Sequence, residues 1–188
     1  GVRGVLDRFG QVEPKILISA DGYFYNGKRF DSLDKLPEIA GGMPSVRRVV
    51  VVPYTQDTPD VSAVPNAKVL GDYIADYPPG EIVFTPRDFN DPLYILYSSG
   101  TTGAPKCIVH GTGAAVLTHL KEHRLMCDVK PGDRVFWFTT CGWMMWNWLV
   151  GALASEATIL LYDGSPFHPD GNAVWSFADE TGMTLFGT

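Results

Sequence analysis

The sequence predicts an α/β fold of doubly wound, mostly parallel sheets, an incomplete set within this chain, and three observations carry that expectation. Residues 14–52 read as strand, helix, strand, and residues 134–186 repeat the alternation as strand, helix, strand, helix, strand. The strand expected at 46–52 ends in Val49-Val-Val-Val52, a β-branched run without polar alternation, as a strand covered on both faces requires. At 188 residues and 45% hydrophobic composition, the chain can bury a core of one domain or two small subdomains.

Taken in order, Pro14-Lys-Ile-Leu-Ile-Ser19 is the first strand. Asp21-Gly22 and Asn26-Gly27 predict tight turns on either side of Tyr23-Phe-Tyr25, because glycine after Asp or Asn accepts the positive φ such turns need. Residues 31–40 open on a capping residue, Asp31, and set Leu33, Leu36 and Ile39 at helical spacing. Pro37 is expected to shorten or kink that helix, and Gly41-Gly42 to stop it. After the strand at 46–52, the polar residues 55–66 read as a surface loop. Residues 69–76 predict a short helix ended by Tyr77-Pro-Pro-Gly80, and 81–85 a short strand. Two more strands, Pro92-Leu-Tyr-Ile-Leu-Tyr97 and Lys106-Cys-Ile-Val-His110, precede a long helix at 111–127 with Val116, Leu117, Leu120 and Leu125 on its apolar side. Pro131-Gly-Asp133 turns into a strand at 134–138. Residues 143–154 predict a helix on which Trp143, Trp146, Asn147 and Val150 share a face. Strands at 157–162 and 183–186 flank a helix at 169–181. The expected division places a first βα portion at 1–90 and a second at 91–188.

Composition excludes several classes. The net charge of −6 has no basic block behind it, which argues against nucleic acid or an acidic membrane surface as partner. Cys107, Cys127 and Cys141 form a sparse, odd set without paired spacing, so no disulfide framework is expected and the setting reads as reducing and cytoplasmic. Residues 142–162 are apolar enough to imitate a membrane span. Ala154-Ser-Glu156 breaks them into a buried helix and a buried strand. Residues 1–8 lack the apolar run of a secretory leader.

The chemistry concentrates between the two middle strands, in Tyr97-Ser98-Ser99-Gly100-Thr101-Thr102-Gly103-Ala104-Pro105-Lys106. Gly100 and Gly103 let backbone N–H groups turn inward, and the hydroxyls of Ser98, Ser99, Thr101 and Thr102 add donors to the same small volume. A concave ring of donors is an anion site. Pro105 stiffens its exit, and Lys106 supplies a compact, movable positive charge. The loop therefore reads as a triphosphate cradle. It is not the common P-loop, because Cys107 follows the lysine and a strand, not a helix, comes next.

Two other patterns are weaker. Gly111-Thr-Gly113-Ala-Ala-Val116 follows a strand and opens a helix, yet a dinucleotide fingerprint needs Gly or Ala where Val116 sits. His119, His123 and Cys127 recur every four residues on one helical face. A closed metal site would need a fourth ligand that the sequence does not nominate, so the pattern reads as a half-covered face whose thiol behaves as a small hydrophobe, and no metal ligand is assigned.

The order from Tyr97 to Lys106 resembles the phosphate-loop signature of the acyl-adenylate-forming superfamily, which includes acyl-CoA synthetases, luciferases and peptide-synthetase adenylation domains. Ser19-Ala-Asp-Gly-Tyr-Phe-Tyr-Asn-Gly-Lys28, Phe138-Thr-Thr-Cys-Gly-Trp-Met-Met-Trp-Asn-Trp148 and Leu161-Tyr-Asp-Gly-Ser-Pro166 resemble its acetoacetate-activating branch. The resemblance implies an ATP-dependent acid–thiol ligase with ATP, Mg²⁺ and CoA as its small-molecule complement. It assigns Ser98, Ser99, Gly100, Thr101, Thr102, Gly103 and Lys106 to the ATP phosphates, Lys106 as the catalytic charge. It further places Trp143 against the acyl group. Thr140 and Asn147 stand where acetyl-CoA synthetases carry Asp and His, a change in pocket polarity that fits a small acid with a second oxygen, such as acetoacetate. The adenine contacts, the Mg-associated glutamate and the small carboxy-terminal domain of such enzymes are expected beyond Thr188. The chain alone is accordingly expected to be inactive, a piece of a large amino-terminal domain. A different short-chain acyl-CoA synthetase, for acetate or propionate, a luciferase-like oxidase and a non-catalytic nucleotide-binding module are the alternatives.

Overall fold

The computed structural model describes residues 1–98, 103 and 105–188. Contacts divide the chain into two compact units, Gly1–Phe84 with Tyr97–Cys107, and Thr85–Leu96 with Ile108–Thr188.

In the first unit, helix α1 (Val2–Phe9) precedes strand β1 (Ile16–Ala20). Strands β2 (Gly22–Tyr25) and β3 (Lys28–Asp31) form an antiparallel hairpin whose turn residues Asn26 and Gly27 have φ of 50° and 72°. That double positive φ is what the Asn-Gly pair supplies most easily. The turn expected at Asp21-Gly22 does not form. Gly22 opens β2 opposite Asp31, while Asp21 is fully buried. Its carboxylate accepts hydrogen bonds from the N–H groups of Tyr54 and Thr55 (2.7 and 2.9 Å) and from the Thr55 hydroxyl (2.7 Å). A distant set of donors therefore overrides the local turn signal.

Asp31 Oδ1 accepts from Leu33 and Asp34 N–H, starting a 3₁₀ turn (Leu33–Lys35) that passes into α2 (Leu36–Gly41). Pro37 lies in the first turn of α2, where its missing N–H would have had no helical partner. Strand β4 (Arg48–Val52) pairs in parallel with β1, from Ile16 opposite Arg48 to Ala20 opposite Val52. On its other side β4 pairs with β5 (Ala67–Val69), a strand too short to show in the sequence, and α3 (Leu70–Ile74) follows directly. Leu17, Val49 and Val51 face Leu36, Met43 and Val64 in the core. The strand expected at 81–85 is absent: Ile82, Val83 and Phe84 are 77%, 88% and 83% exposed and join no ladder. Apolar, β-branched residues favour a strand only where a pleated, half-buried surface receives them.

The second unit begins with strands β6 (Pro92–Tyr97) and β7 (Cys107–Gly111), which form a two-stranded sheet; Tyr97 and Cys107 themselves count with the first unit. Helix α4 (Thr112–Leu120) continues into a π-helical segment (Lys121–Met126), closed by Cys127 N–H donating to the Glu122 carbonyl at 2.9 Å. Cys127 is exposed, not covered as its expected role as a small hydrophobe required. Strand β8 (Arg134–Trp137), helix α5 (Met144–Gly151), a 3₁₀ turn (Ala152–Ser155), strand β9 (Thr158–Leu160), helix α6 (Ala173–Thr181) and strand β10 (Leu185–Gly187) complete the chain. Helix α6 starts later than expected because residues 169–172 form a turn in which the Asp170 carboxylate accepts from Asn172 N–H.

These three strands form a parallel sheet ordered β10-β8-β9. Val135 of β8 packs with Trp148, Leu149 and Ala152 on one face. Phe136 meets Phe177 of α6 at 5.8 Å between ring centroids and Phe186 of β10 at 5.6 Å. Helical cover on both faces is the doubly wound arrangement. No helix among the described residues is long and apolar enough to cross a membrane.

Candidate active site

The phosphate-loop candidates divide sharply. Ser99, Gly100, Thr101 and Thr102 lie outside the described residues; Ser98, Gly103 and Lys106 lie within them. Ser98 N–H donates to the Lys106 carbonyl at 3.0 Å, and Lys106 N–H donates back to Ser98 Oγ at 3.2 Å. This reciprocal pair closes the neck of the hairpin, so Ser98 has a structural duty that its sequence pattern did not announce. Gly103 has φ of 127°, a region that favours glycine, and no atom of the described residues lies near the position a Cβ would take. Gln11 Nε2 donates to the Pro105 carbonyl at 2.8 Å, anchoring the exit of the loop to the segment after α1. Phe9 meets Tyr97 at 6.3 Å between ring centroids at the entrance. Burial raises the Tyr97 phenol pKa and the nearby Cys107 adds to it, so Tyr97 is a neutral wall at physiological pH. The neck is thus fixed by backbone and hydroxyl hydrogen bonds, and Lys106 beside it is an exposed residue.

The acyl-pocket candidates sit at the carboxyl end of the β8 sheet. From β8 the chain moves outward to β9, then returns to place β10 on the opposite side of β8. The direction of winding therefore reverses between β8 and β10. At such a reversal the connections leave the sheet toward opposite faces and open a crevice beyond the strand ends. A cavity of about 450 Å³ lies there, lined by Trp137 to Thr140 from the end of β8, by Trp143, Met144 and Met145 at the start of α5, and by Thr188 after β10.

Thr140 and Trp143 are brought together in this cavity, and Trp143 N–H donates to the Thr140 carbonyl at 3.1 Å. This turn holds Trp143 in extended backbone just before α5, and its side chain is 68% exposed. The expectation that Trp143 lies within the helix is corrected accordingly. Asn147 is one turn further along α5 and lines a different cavity of about 260 Å³, with Tyr94, His119 and Trp146 among its walls. Trp137, Phe138, Met144 and Met145 were missed as pocket residues. Their signal was positional: they stand at the end of β8 and the start of α5 beside a winding reversal, and strand order is not written in the sequence.

His123 is fully buried against Trp148, ring centroids 4.2 Å apart, and neither ring nitrogen has a hydrogen-bond partner among the described residues. Burial lowers its pKa, and the neighbouring His119 adds to that, so the imidazole is neutral. His119 meets His123 edge-on at 6.1 Å and is itself lowered by burial and by His110. Among the described residues no group of three or more His, Cys, Asp or Glu side chains could hold a metal ion.

A doubly wound sheet with an apolar crevice at its winding reversal is the architecture in which small-molecule ligands are commonly bound. Residues 4–188 match the family described as AMP-binding enzyme, and the chain belongs to that family. It is 51% identical over its full length to acetoacetyl-coenzyme A synthetase of Rhizobium meliloti and 46% identical to acetoacetyl-CoA synthetase of Gallus gallus. The solved acetoacetyl-CoA synthetase from Streptomyces lividans superposes on the whole chain with a TM-score of 0.91 at 46% identity. The chain spans 29% of the length of those two relatives and 28% of the solved one.

Proposed function

We propose that this chain is the phosphate-loop and acyl-pocket portion of an ATP-dependent acetoacetate–CoA ligase. In that reaction the acid's carboxylate oxygen attacks the α-phosphorus of ATP, pyrophosphate leaves, and an acyl-adenylate forms. The sulfur of CoA then attacks the acyl carbon, AMP departs with the bonding electron pair, and the thiol proton passes to solvent. Negative charge gathers on phosphoryl oxygens in the first step, and preorganised donors are the most effective way to stabilise it. The hairpin from Ser98 to Gly103 supplies those donors and Lys106 a positive charge for the β- and γ-phosphates. Thr140 and Trp143 take the acyl group, with Asn147 one helical turn behind them. Mg²⁺ would, when bound, neutralise part of the phosphate charge.

The observation that carries this reading is the apolar cavity at the β8–β10 winding reversal in a chain that also holds the hydroxyl-rich hairpin. Full-length similarity to acetoacetyl-CoA synthetases supports the choice of acid. The test is an acid panel with the polypeptide at the length of its relatives, following pyrophosphate exchange and thioester formation. Acetoacetate is expected to give the highest kcat/KM; a preference for acetate or propionate, or no exchange with any acid, refutes the proposal.

A further inference from the structure

Residues opposite each other in a parallel pair project from the same face of the sheet, with strands about 4.8 Å apart. Gly187 of β10 stands opposite Trp137 of β8, and Phe138 N–H donates to the Gly187 carbonyl at 2.8 Å, which fixes that register. A Cβ built on Gly187 would lie 2.5 Å from Trp137 Cζ3 and 2.7 Å from Cδ2, and closer still to Cε3. These are ring atoms, so no flexible tip can bend away. The φ of Gly187 is not in the left-handed region, and glycine is required here for space alone.

The indole of Trp137 therefore lies across the bare backbone of β10. It meets the buried Trp148 edge-on, with centroids 5.2 Å apart and planes at 65°. Backbone bounds the ring where Gly187 stands and a packed tryptophan bounds it at α5. The open volume beside it is the 450 Å³ cavity it lines.

We propose that Gly187 is a specificity-determining position: by having no side chain it lets Trp137 lie against β10, and so sets how much room the cavity offers the carbons of the acid beyond its carboxylate. A side chain at 187 displaces the indole into the cavity and shortens the acids it accepts. This rests on the acyl-pocket reading above. One methylene in a fitted apolar pocket changes discrimination by roughly 10- to 200-fold, so the displacement of a whole ring is readily measured.

The experiment uses the polypeptide at the length of its relatives, with acetate and acetoacetate as the probe acids. Gly187→Ala is expected to lower kcat/KM for acetoacetate relative to acetate by about tenfold or more, with KM for ATP unchanged. Adding Trp137→Phe to that variant replaces the nine-atom indole with a six-atom ring, makes room for the methyl group and restores the ratio. An equal loss with both acids, an unchanged ratio, or a ratio that Trp137→Phe does not restore overturns the proposal. Trp143→Ala separates this from the underlying reading. If it leaves the KM for both acids unchanged, the acyl-pocket reading has failed; if it raises them while Gly187→Ala leaves the ratio alone, only the role of Gly187 has failed. Should Gly187→Ala not fold, Trp137→Phe alone decides: kcat/KM for a 3-oxo acid one or two carbons longer rises relative to acetoacetate, and an unchanged ratio rejects the assignment.

Discussion

The two units each contain a three-stranded parallel sheet, and they differ in how the chain visits the strands. In the first, the order β1-β4-β5 grows in one direction, each new strand joining the edge left by the last. In the second, β9 and β10 are added to opposite sides of β8. Only the second winding reverses, and its carboxyl end holds the apolar cavity lined by Thr140 and Trp143. A cavity of about 390 Å³ in the first unit lies instead at the amino ends of the strands, among Gly10, Glu13, Lys15 and Ser45, the residues leading into β1 and β4. Strand number and sense are the same in both sheets. Winding is what places the apolar cavity beyond the carboxyl end of the second sheet.

The comparison can be broken first at the middle of the second sheet. Phe136→Ala is expected to destabilise the protein by about 3–5 kcal/mol, read as a lower denaturation midpoint, because its ring is 1% exposed between α6 and β10. A loss below about 1 kcal/mol would show that the second face of β8 is not packed as described. Next in size is Lys106→Ala in the longer polypeptide, expected to slow pyrophosphate exchange about 10²- to 10³-fold with little change in KM for the acid. Trp143→Ala should do the reverse, raising KM for the acid and sparing that for ATP. If both variants move the same parameter, the separation of phosphate loop from acyl cavity is wrong.

A smaller effect belongs to Asp21 in the first unit. Burial pushes its carboxyl up, but hydrogen bonds from Thr55 and Tyr54 outweigh this and hold its pKa at about 2, below the ordinary 3.8. The stabilisation is therefore complete above pH 3.8 and is lost as pH falls from 3.8 toward 2. Asp21→Asn is expected to destabilise by about 1–3 kcal/mol at neutral pH and to flatten the acid limb of a stability–pH curve; an unaltered limb contradicts it. Smallest is His123 in the second unit. Its pKa is lowered by burial, so the unfolded chain binds the proton more readily and stability declines as pH falls below the ordinary value of 6.5. His123→Phe should remove that decline and change stability at pH 8 by less than about 1 kcal/mol. Chemical denaturation at pH 5.5 and 8 compares the two.

Where local chemistry decides an element, the sequence was sufficient. Asn26-Gly27 made its turn, Asp31 and Pro37 set the start of α2, and the strand, helix, strand pattern gave parallel pairs in both sheets. Four features departed from the reading of the sequence, three because distant strands or donors decide them and one, Trp143, because of a turn on nearby Thr140. Asp21 found donors 33 and 34 residues away, residues 81–85 found no strand to join, Trp143 was held outside α5 by a turn, and β5 became visible only once β4 lay beside it. Of the candidate site, the proposed phosphate loop could be nominated from sequence because its candidate donors are neighbours along the chain, though Ser99, Gly100, Thr101 and Thr102 lie outside the described residues. Thr140 and Trp143 were legible only through resemblance, while Trp137 and Gly187 were not legible at all.

The sequence by itself determined the fold class and the family, since the alternation of strands and helices and the order of residues from Tyr97 to Lys106 are written along the chain. Tertiary structure alone decided where the apolar cavity lies and which residues line it. Those residues come from two strands and a helix spread from position 137 to position 188, and they share a cavity only because β10 returns to the far side of β8. Side chains that close in on one volume from distant positions leave no periodicity in the chain, for the spacing that matters to them is measured across strands and not along the backbone.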